Sequence, residues 1–441
     1  MLRLRSVIQD MIGGNIVFKR RNAMADHQRK VIAEGVGFST VIDPKFKTNS
    51  IKVMFITDLR EETAAQNALA IGVMGSSNEK YRNISEITAK LNSLYGANIN
   101  VGITKQGDLQ KLSIGISAIG NRYALEKEDI CGEVLDILTD CIFAPYIQNG
   151  GFGKEPFDFR KMDLLDSIEA EINNKRGYAI LRTQRRAFEG ENSAFSPYGT
   201  KETAAAVTPQ QAYEAYKELL RTAQVEIFYV GPEYQAEVEL RMSEKFRSIE
   251  RQPKEYKFIS FSPVKAEVCR AEEKLDVNQC KMVMAFKSDS TDRYAMKYMN
   301  TILGATPFSK LFLNVREKLS LCYYCASNYS NVKGALFIDS GVEEENIQKA
   351  QDEITAQIDC IKNGDFTDDE LKESLLSIKN SLSGVGDTPS SYINWYYGCL
   401  VNGETLTPDE AIEKYTQVTR EQIIEAAKSL KLDTVYLMKG E

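Results

Sequence analysis

The chain has 441 residues, a formal net charge of −7 and a pI near 5.3, with 43% hydrophobic and 27% charged residues. That is enough apolar material for one large core or two ordinary ones, and two domains is the expectation. An acidic balance of this kind offers no general attraction to phosphate backbones or anionic surfaces, which sets nucleic acid aside as a partner, and no run of about 18 apolar residues is present to span a membrane.

Taken in chain order, residues 1–30 form a basic segment, "MLRLRSVIQDMIGGNIVFKRRNAMADHQRK", whose apolar run is short, broken and without a convincing cleavage site. Lys19, Arg20 and Arg21 could be encoded by a purine-rich ribosome-binding sequence just upstream of Met24, so the start is either Met1 or Met24. An extended run, "SIKVMFITDL", then leads into "AAQNALAIGVMGSS", residues 64–77, a small, apolar, Gly-punctuated helix that carries no chemistry. Asn83 or Ser85 caps a helix with Ile84, Ile87, Leu91 and Leu94 at helical spacing and Gly96 as its stop. The period then changes: Ile99, Val101 and Ile103 alternate, "KQGD" turns, and Leu112, Ile114 and Ile116 alternate again, which predicts a hairpin. Helices are expected from about Asp129 to Cys141 and from about Phe159 to Asn174. Another opens at Thr208 with Gln211 in capping-box register, and the strand "VEIFYVG" follows it.

This pattern is written twice. "IKVMFITD" from Ile51 resembles "CKMVMAFKSD" from Cys280, and Gly75 after "IGVM" matches Gly304 after "NTIL" at the same offset. Further on the offset shrinks: "FDFRKMDLLDSIEAEIN" from Phe157 parallels "FTDDELKESLLSIKNSL" from Phe366, and "VTPQQAYEAYKELLRTAQVEIFYVG" from Val207 parallels "VTREQIIEAAKSLKLDTVYLMKG" from Val418. An insertion in the first copy, for which "YIQNGGFGKEPF" is the candidate, produces such a drift. The fold class is therefore α+β, with two homologous domains at 31–232 and 266–441, each an antiparallel-rich sheet with packed helices, joined by a charged, Pro-punctuated helix and linker at 233–265.

The eight cysteines are spread through apolar segments of a long chain, which points to reduced thiols and a cytoplasmic location. Cys322 and Cys325 in "LCYYCAS" have the spacing of a redox or metal CxxC, but their aromatic, alternating context reads as a strand.

The single histidine, His27, lies in the polar N-terminal segment and reads as a lone surface residue. Without a second imidazole there is no Ser-His-Asp or Cys-His arrangement and no His-based zinc site. "NGGFGKEP" lacks Walker spacing and is followed by Pro, and "GNRYALEKED" is a loop into a helix, so neither is a nucleotide site. Glu169 and Glu171 stand at i and i+2 on a helix and face different ways, so they do not form an acid/base pair by themselves. The sharper cluster is "TPFSKLFLNVREKLSLCYYCASNYS", where Leu311, Phe312, Val315 and Leu319 are read as one apolar helical face with Arg316 and Lys318 off it, running into a strand that bears Tyr323 and Tyr324. An Arg beside a strand Tyr suits a peptide carbonyl or carboxylate, because the guanidinium offers planar donors. An exposed salt-bridging Arg and a core Tyr fit the same pattern.

From about Val31 onward, "PFSKLFLNVREKLSLCYY", the duplicated halves and "SPYGTKETAAAVTPQQAYEAY" resemble the insulinase-like M16 metallopeptidase family. The resemblance implies an M16 (LuxS/MPP-like) half-clamshell. In that family an H-x-x-E-H helix supplies two zinc ligands and a base, and a Glu on a later helix completes the site. Placed by Gly75, the motif falls on "QNALA": Gln66 and Ala70 at the His positions, Leu69 at the base, with Glu171 at the distal ligand. The helix keeps its place and has lost the metal, so no catalytic residue, metal or cofactor is expected in this chain. The family's backbone-binding Arg and Tyr fall on Arg316 and Tyr323, with Tyr324 as the fallback if the register slips.

This combination is similar to the non-zinc subunit of the family's bacterial heterodimers. It implies a non-catalytic, peptide-binding chain whose partner is an H-x-x-E-H paralogue encoded nearby, with zinc only in that partner and an unstructured peptide as substrate. The alternatives are a catalytically inert structural or protein-binding member acting as a homodimer, and an independent enzyme of unfamiliar chemistry.

Overall fold

The computed structural model describes residues 26–440; the basic segment before Asp26, with both candidate start methionines, lies outside them. Two sheets organise the chain. The first contains β1 (Asp26–Ala33), β2 (Val36–Ile42), β3 (Thr48–Asp58), β4 (Asn98–Gln106), β5 (Leu109–Ile119) and β8 (Gln224–Gly231), in the order β1-β2-β8-β3-β5-β4. The second contains β9 (Cys269–Lys274), β10 (Cys280–Lys287), β11 (Cys322–Ser330), β12 (Ala335–Val342) and β13 (Lys431–Lys439), in the order β11-β12-β10-β13-β9. The hairpin β6–β7 (Ile147–Gln148, Gly151–Phe152) stands apart.

In the first half the helices are α1 (Glu61–Met74), α2 (Ile84–Ser93), α3 (Ile130–Phe143), α4 (Lys154–Ala170), α5 (Lys175–Ala187), α6 (Lys201–Ala206) and α7 (Pro209–Thr222); α8 (Ala236–Arg247) follows the sheet. The second half repeats the series with α9 (Arg293–Leu303), a π-helix (Leu311–Lys318), α10 (Ile347–Lys362), α11 (Asp368–Ser383), α12 (Pro389–Val401), α13 (Pro408–Thr416) and α14 (Arg420–Lys428). The repeat read from the sequence is thus a duplication of the whole series apart from β1 and the β6–β7 hairpin, which only the first half has, down to the parallel pairs β2–β8 and β9–β13 in otherwise antiparallel sheets. Gly75 and Gly304 end the equivalent helices α1 and α9. A Cβ on Gly75 would strike Val101 of β4, and one on Gly304 would come within 2.9 Å of the Ser327 amide nitrogen of β11, so the same close approach demands glycine in both copies.

Alternation along the strands separates two faces. On one face of the first sheet, Ile51, Val53 and Phe55 join Leu112, Ile114 and Ile227 in a core closed by α1, α3 and α7. On the other, Met54, Ile56, Phe228 and Val230 pack against Tyr392, Ile393, Tyr396 and Tyr397 of α12, which belongs to the second half. The exchange is mutual: Ala179 and Ala187 of α5 and Phe188 just after it, all from the first half, cover Val283, Ala285, Phe337 and Tyr436 on the outer face of the second sheet. Strands apolar on both faces need both covers, and each half supplies the other's.

Several boundaries differ from expectation. The boundary at residue 31 falls inside β1, and His27 is no free surface residue: it stacks on Tyr396 at 3.7 Å between centroids. The helix and linker expected at 233–265 are present, with α8 ending at Arg247, and the helix is part of the first domain, because its Val238, Met242 and Phe246 sit in the first core. The helix expected from 159 begins at Lys154, directly after the β6–β7 hairpin that occupies the proposed insertion, and ends at Ala170, with a 3-10 turn over Glu171–Asn173.

Candidate functional site

At the residues expected to mark a metal position, α1 is built for packing. Leu69 is 1% and Ala70 0% exposed, both inside the first core, while Gln66 is partly exposed. Polar ties that hold the helix are amides: Asn67 donates to Gln110 Oε1 at 2.9 Å, and Gln110 in turn donates to the carbonyls of Ala64 and Pro197 at 3.0 and 2.6 Å. Glu171 opens the turn after α4. Burial pushes its carboxyl up and the charge of Lys105 opposes that shift. Lys105 donates to the carbonyls of Ser193 and Phe195 at 2.8 and 3.4 Å, and burial pushes its amine down to about 8 against the charges of Glu171 and Asp108. Glu169 instead pairs with Lys201, so the two glutamates diverge as their spacing requires. One neutral amide, two aliphatic side chains and a single carboxylate do not make a zinc site, which calls for three imidazole, thiolate or carboxylate ligands.

The second cluster is shaped by two backbone irregularities. Leu311–Lys318 forms a π-helix, a rare geometry concentrated at functional sites, closed by Ser320 at φ 50°. The wider i→i+5 turn overturns the expected four-residue apolar face: Leu311 and Val315 are buried, Phe312 lies under the Arg316 guanidinium at 4.5 Å, and Leu319 is exposed. Arg316 also reaches Glu317 at 3.5 Å.

The register of β11 against β12 then shifts between Cys322 and Tyr324, making Tyr323 the extra residue of a bulge. Cys322 and Cys325 consequently both turn into the core. A hydrogen bond with Cys325, helped by Ser340 and the Arg316 charge, outweighs burial and lowers the Cys322 thiol. Tyr323 is 64% exposed. Tyr324 is half-buried, with the Arg176 guanidinium of α5 over its ring at 4.6 Å and its edge lying where a Cβ on Gly341 would be. Arg176 is itself held by both carboxylate oxygens of Asp339. Among the described residues no hydrogen bond joins Arg316 to Tyr323; they stand on two elements that pack together, the π-helix and β11, with Arg316 partly exposed and Tyr323 exposed.

Sequence reasoning did not single out α5. Its run "KRGYAILRTQRRA" has five cations and no acid in a chain of net charge −7, a visible signal. With α4, the loop 194–201 and Glu61 it encloses a cavity of about 250 Å³ that includes Lys105 and Glu171.

These features define a duplicated, two-half α+β chain, and among its described residues no group of three or more His, Cys, Asp or Glu side chains could hold a metal. Residues 206–377 match the family model described as Peptidase M16 inactive domain. The "Probable inactive metalloprotease YmfF" of Bacillus subtilis (strain 168) is 25% identical over 400 residues, covering 90% of this chain and 94% of the relative. The "Uncharacterized zinc protease YmxG" of the same organism is 22% identical over 425 residues, covering 91% and 95%. Among solved structures, a conserved protein from Enterococcus faecalis V583 superposes with a TM-score of 0.87 at 27% identity, covering 95% of this chain and 99% of that one. The peptidase M16 inactive domain from Pseudomonas fluorescens shares the fold with a TM-score of 0.75 at 19% identity, covering 94% and 98%. The chain is thus similar, over nearly its whole length, to members of the M16 peptidase family that include a probable inactive metalloprotease, and its sequence contains no H-x-x-E-H motif.

Proposed function

We propose that the chain is the non-catalytic, peptide-binding subunit of a heterodimeric zinc endopeptidase. The observation that carries this reading is the pairing of opposites in one molecule: a metal-position helix filled with Leu69 and Ala70, and an Arg316–Tyr323 cluster left open at the end of a π-helix. Arg316 and Tyr323 bind the backbone of an unstructured peptide, and Tyr324, tied to Arg176, supports the strand. The chain holds no cofactor of its own, and the H-x-x-E-H partner contributes the zinc that polarises the carbonyl and generates the nucleophile. This division is physically sound because positioning a peptide requires no metal. Two relatives of this chain in one organism, the probable inactive metalloprotease YmfF and the uncharacterized zinc protease YmxG, support such a partnership. We place the complex in the cytoplasm; no described helix is long and apolar enough to cross a membrane.

The test is cleavage of a quenched fluorescent peptide library by this chain, by its H-x-x-E-H paralogue and by the mixture. Activity only in the mixture, lost on Arg316→Ala or Tyr323→Phe, is the expected result. A paralogue fully active alone and indifferent to this chain would replace the reading with a structural or protein-binding role as a homodimer.

A further inference from the structure

The cavity beside α5 is lined by apolar side chains that are only half-buried: Ile168 of α4, Tyr178 and Leu181 of α5, and Phe195. Apolar surface left in contact with water is free energy still available for binding. At about 250 Å³ the space is below the roughly 300–1,000 Å³ of a drug-sized ligand site and matches one large side chain. Charge gives a second constraint. Two of the five α5 cations are matched, Arg176 by Asp339 and Arg182 by Glu273, while Lys175, Arg185 and Arg186 have no carboxylate partner among the described residues. Arg185 is exposed and lines the cavity. The lining acids, Glu61 and Glu171, are outnumbered by Lys105, Arg182, Arg185 and Lys201.

Position supplies the third constraint. Arg176 contacts Tyr324, the neighbour of Tyr323, and the cavity-lining residues of α5 run from Tyr178 to Arg185. At about 1.5 Å of rise per residue, Arg185 lies roughly 14 Å along the helix from Arg176. An extended peptide covers that distance in about four residues at ~3.3 Å each.

We infer that this cavity is a side-chain subsite for the bound peptide: it takes one bulky apolar side chain within about four residues of the main chain held at Tyr323, and the α5 cations select an acidic residue beside it. The inference rests on the peptide-binding reading above and deepens it by naming a substrate class, peptides in which an aromatic or long aliphatic residue adjoins Asp or Glu.

Fluorescence anisotropy of fluorescein-labelled eight-residue peptides, with the full chain alone and with its zinc paralogue, tests it. The panel holds Trp-Glu, Ala-Glu and Trp-Lys versions of one sequence. The Trp-Glu peptide is expected to bind about tenfold more tightly than either of the others. Arg185→Glu, at an exposed position with no partner to lose, is expected to reverse the Glu-over-Lys preference. Leu181→Trp, which fills the cavity, should remove the Trp-over-Ala preference while leaving the Ala-Glu peptide unchanged. Equal binding of all three peptides, with Arg185→Glu indifferent, would overturn the subsite and leave peptide binding standing. No binding of any peptide in either setting would overturn the peptide-binding reading and the subsite together.

Discussion

Lys333 and Asp108 meet at 2.8 Å across the tips of two hairpins that hold the same place in the two halves, Lys333 in the β11–β12 turn and Asp108 in the β4–β5 turn. Glu191 completes the cluster at 2.6 Å from the Lys333 ammonium, which is 2% exposed. Gly107, at φ 59°, lets the tips close: a Cβ there would stand 3.3 Å from Lys333 Cδ. With the exchange of α5 and α12, this contact makes the two halves one body.

Lys333→Met leaves two carboxylates facing each other without a cation. A loss of about 3 kcal/mol in urea denaturation is expected. Burial raises the Asp108 carboxyl, but the hydrogen bond and charge of Lys333, with the Ser193 amide, outweigh it and hold the group below its ordinary value of 3.8. A depressed carboxylate contributes stability that is present above the unfolded value and lost as pH falls through the folded one. The parent protein should therefore lose this contribution below about pH 4, and the variant should lack that part of the acid slope.

His27 gives a second pH signature in a separate window. Burial, and then the nearby charge of Arg29, lower the imidazole from 6.5 to about 4, with Asp26 opposing. The folded state then binds fewer protons than the unfolded state between these values, so stability is complete above pH 6.5 and falls as the pH drops toward 4. The partial exposure of His27 limits the effect to about 1–2 kcal/mol. His27→Phe keeps the stack on Tyr396 and should flatten the stability profile between pH 6.5 and 4. The chain's single histidine makes the check direct, since one imidazole signal is followed by NMR titration; a value near 6.5 in the folded protein would contradict it.

Restoring family residues at the metal position should fail through packing. Leu69→Glu places a carboxylate at a 1%-exposed core site without a cation beside it. A cost of about 3–5 kcal/mol, read as a fall in melting temperature, is expected. Thermal unfolding unaffected by the substitution would show that α1 has more room than its packing indicates.

Gly304→Ala tests the duplicated close approach. The new methyl would meet Ser327 Oγ at 2.6 Å, Leu311 Cδ1 at 2.7 Å and the Ser327 nitrogen at 2.9 Å, so either β11 or the π-helix must shift. About 2 kcal/mol of destabilisation follows, and because both elements carry the Arg316–Tyr323 cluster, binding of a peptide should weaken with it. The matching change at Gly75 meets Val101 Cγ2 more closely still, so it too should lower the melting temperature, but without touching peptide binding directly.

Much of the plan was legible because it is local. Ile99, Val101 and Ile103 declare a strand, Thr208 with Gln211 declares a helix start, and both stand where expected. The duplication was readable from Gly75 and Gly304, and the lack of an H-x-x-E-H motif from the residues themselves. Where the sequence reading slipped, a local rule met a non-local cause. Leu319 keeps helical spacing with Leu311 and Val315, but a π-helix changes the turn; His27 has a polar neighbourhood in sequence, but an aromatic one from α12 in space.

The sequence by itself determined the repeat, the strands β3, β4, β5 and β8 of the first sheet and the absence of an H-x-x-E-H motif, since periodicity, capping and residue identity need no partner from afar. Only the tertiary structure decided which half covers which sheet, that a bulge turns Tyr323 outward while Arg176 covers Tyr324, and that the cations of α5 gather beside Lys105 and Glu171. Each of those outcomes depends on contacts between residues far apart in the chain, where packing and charge select among arrangements that local propensity leaves equal.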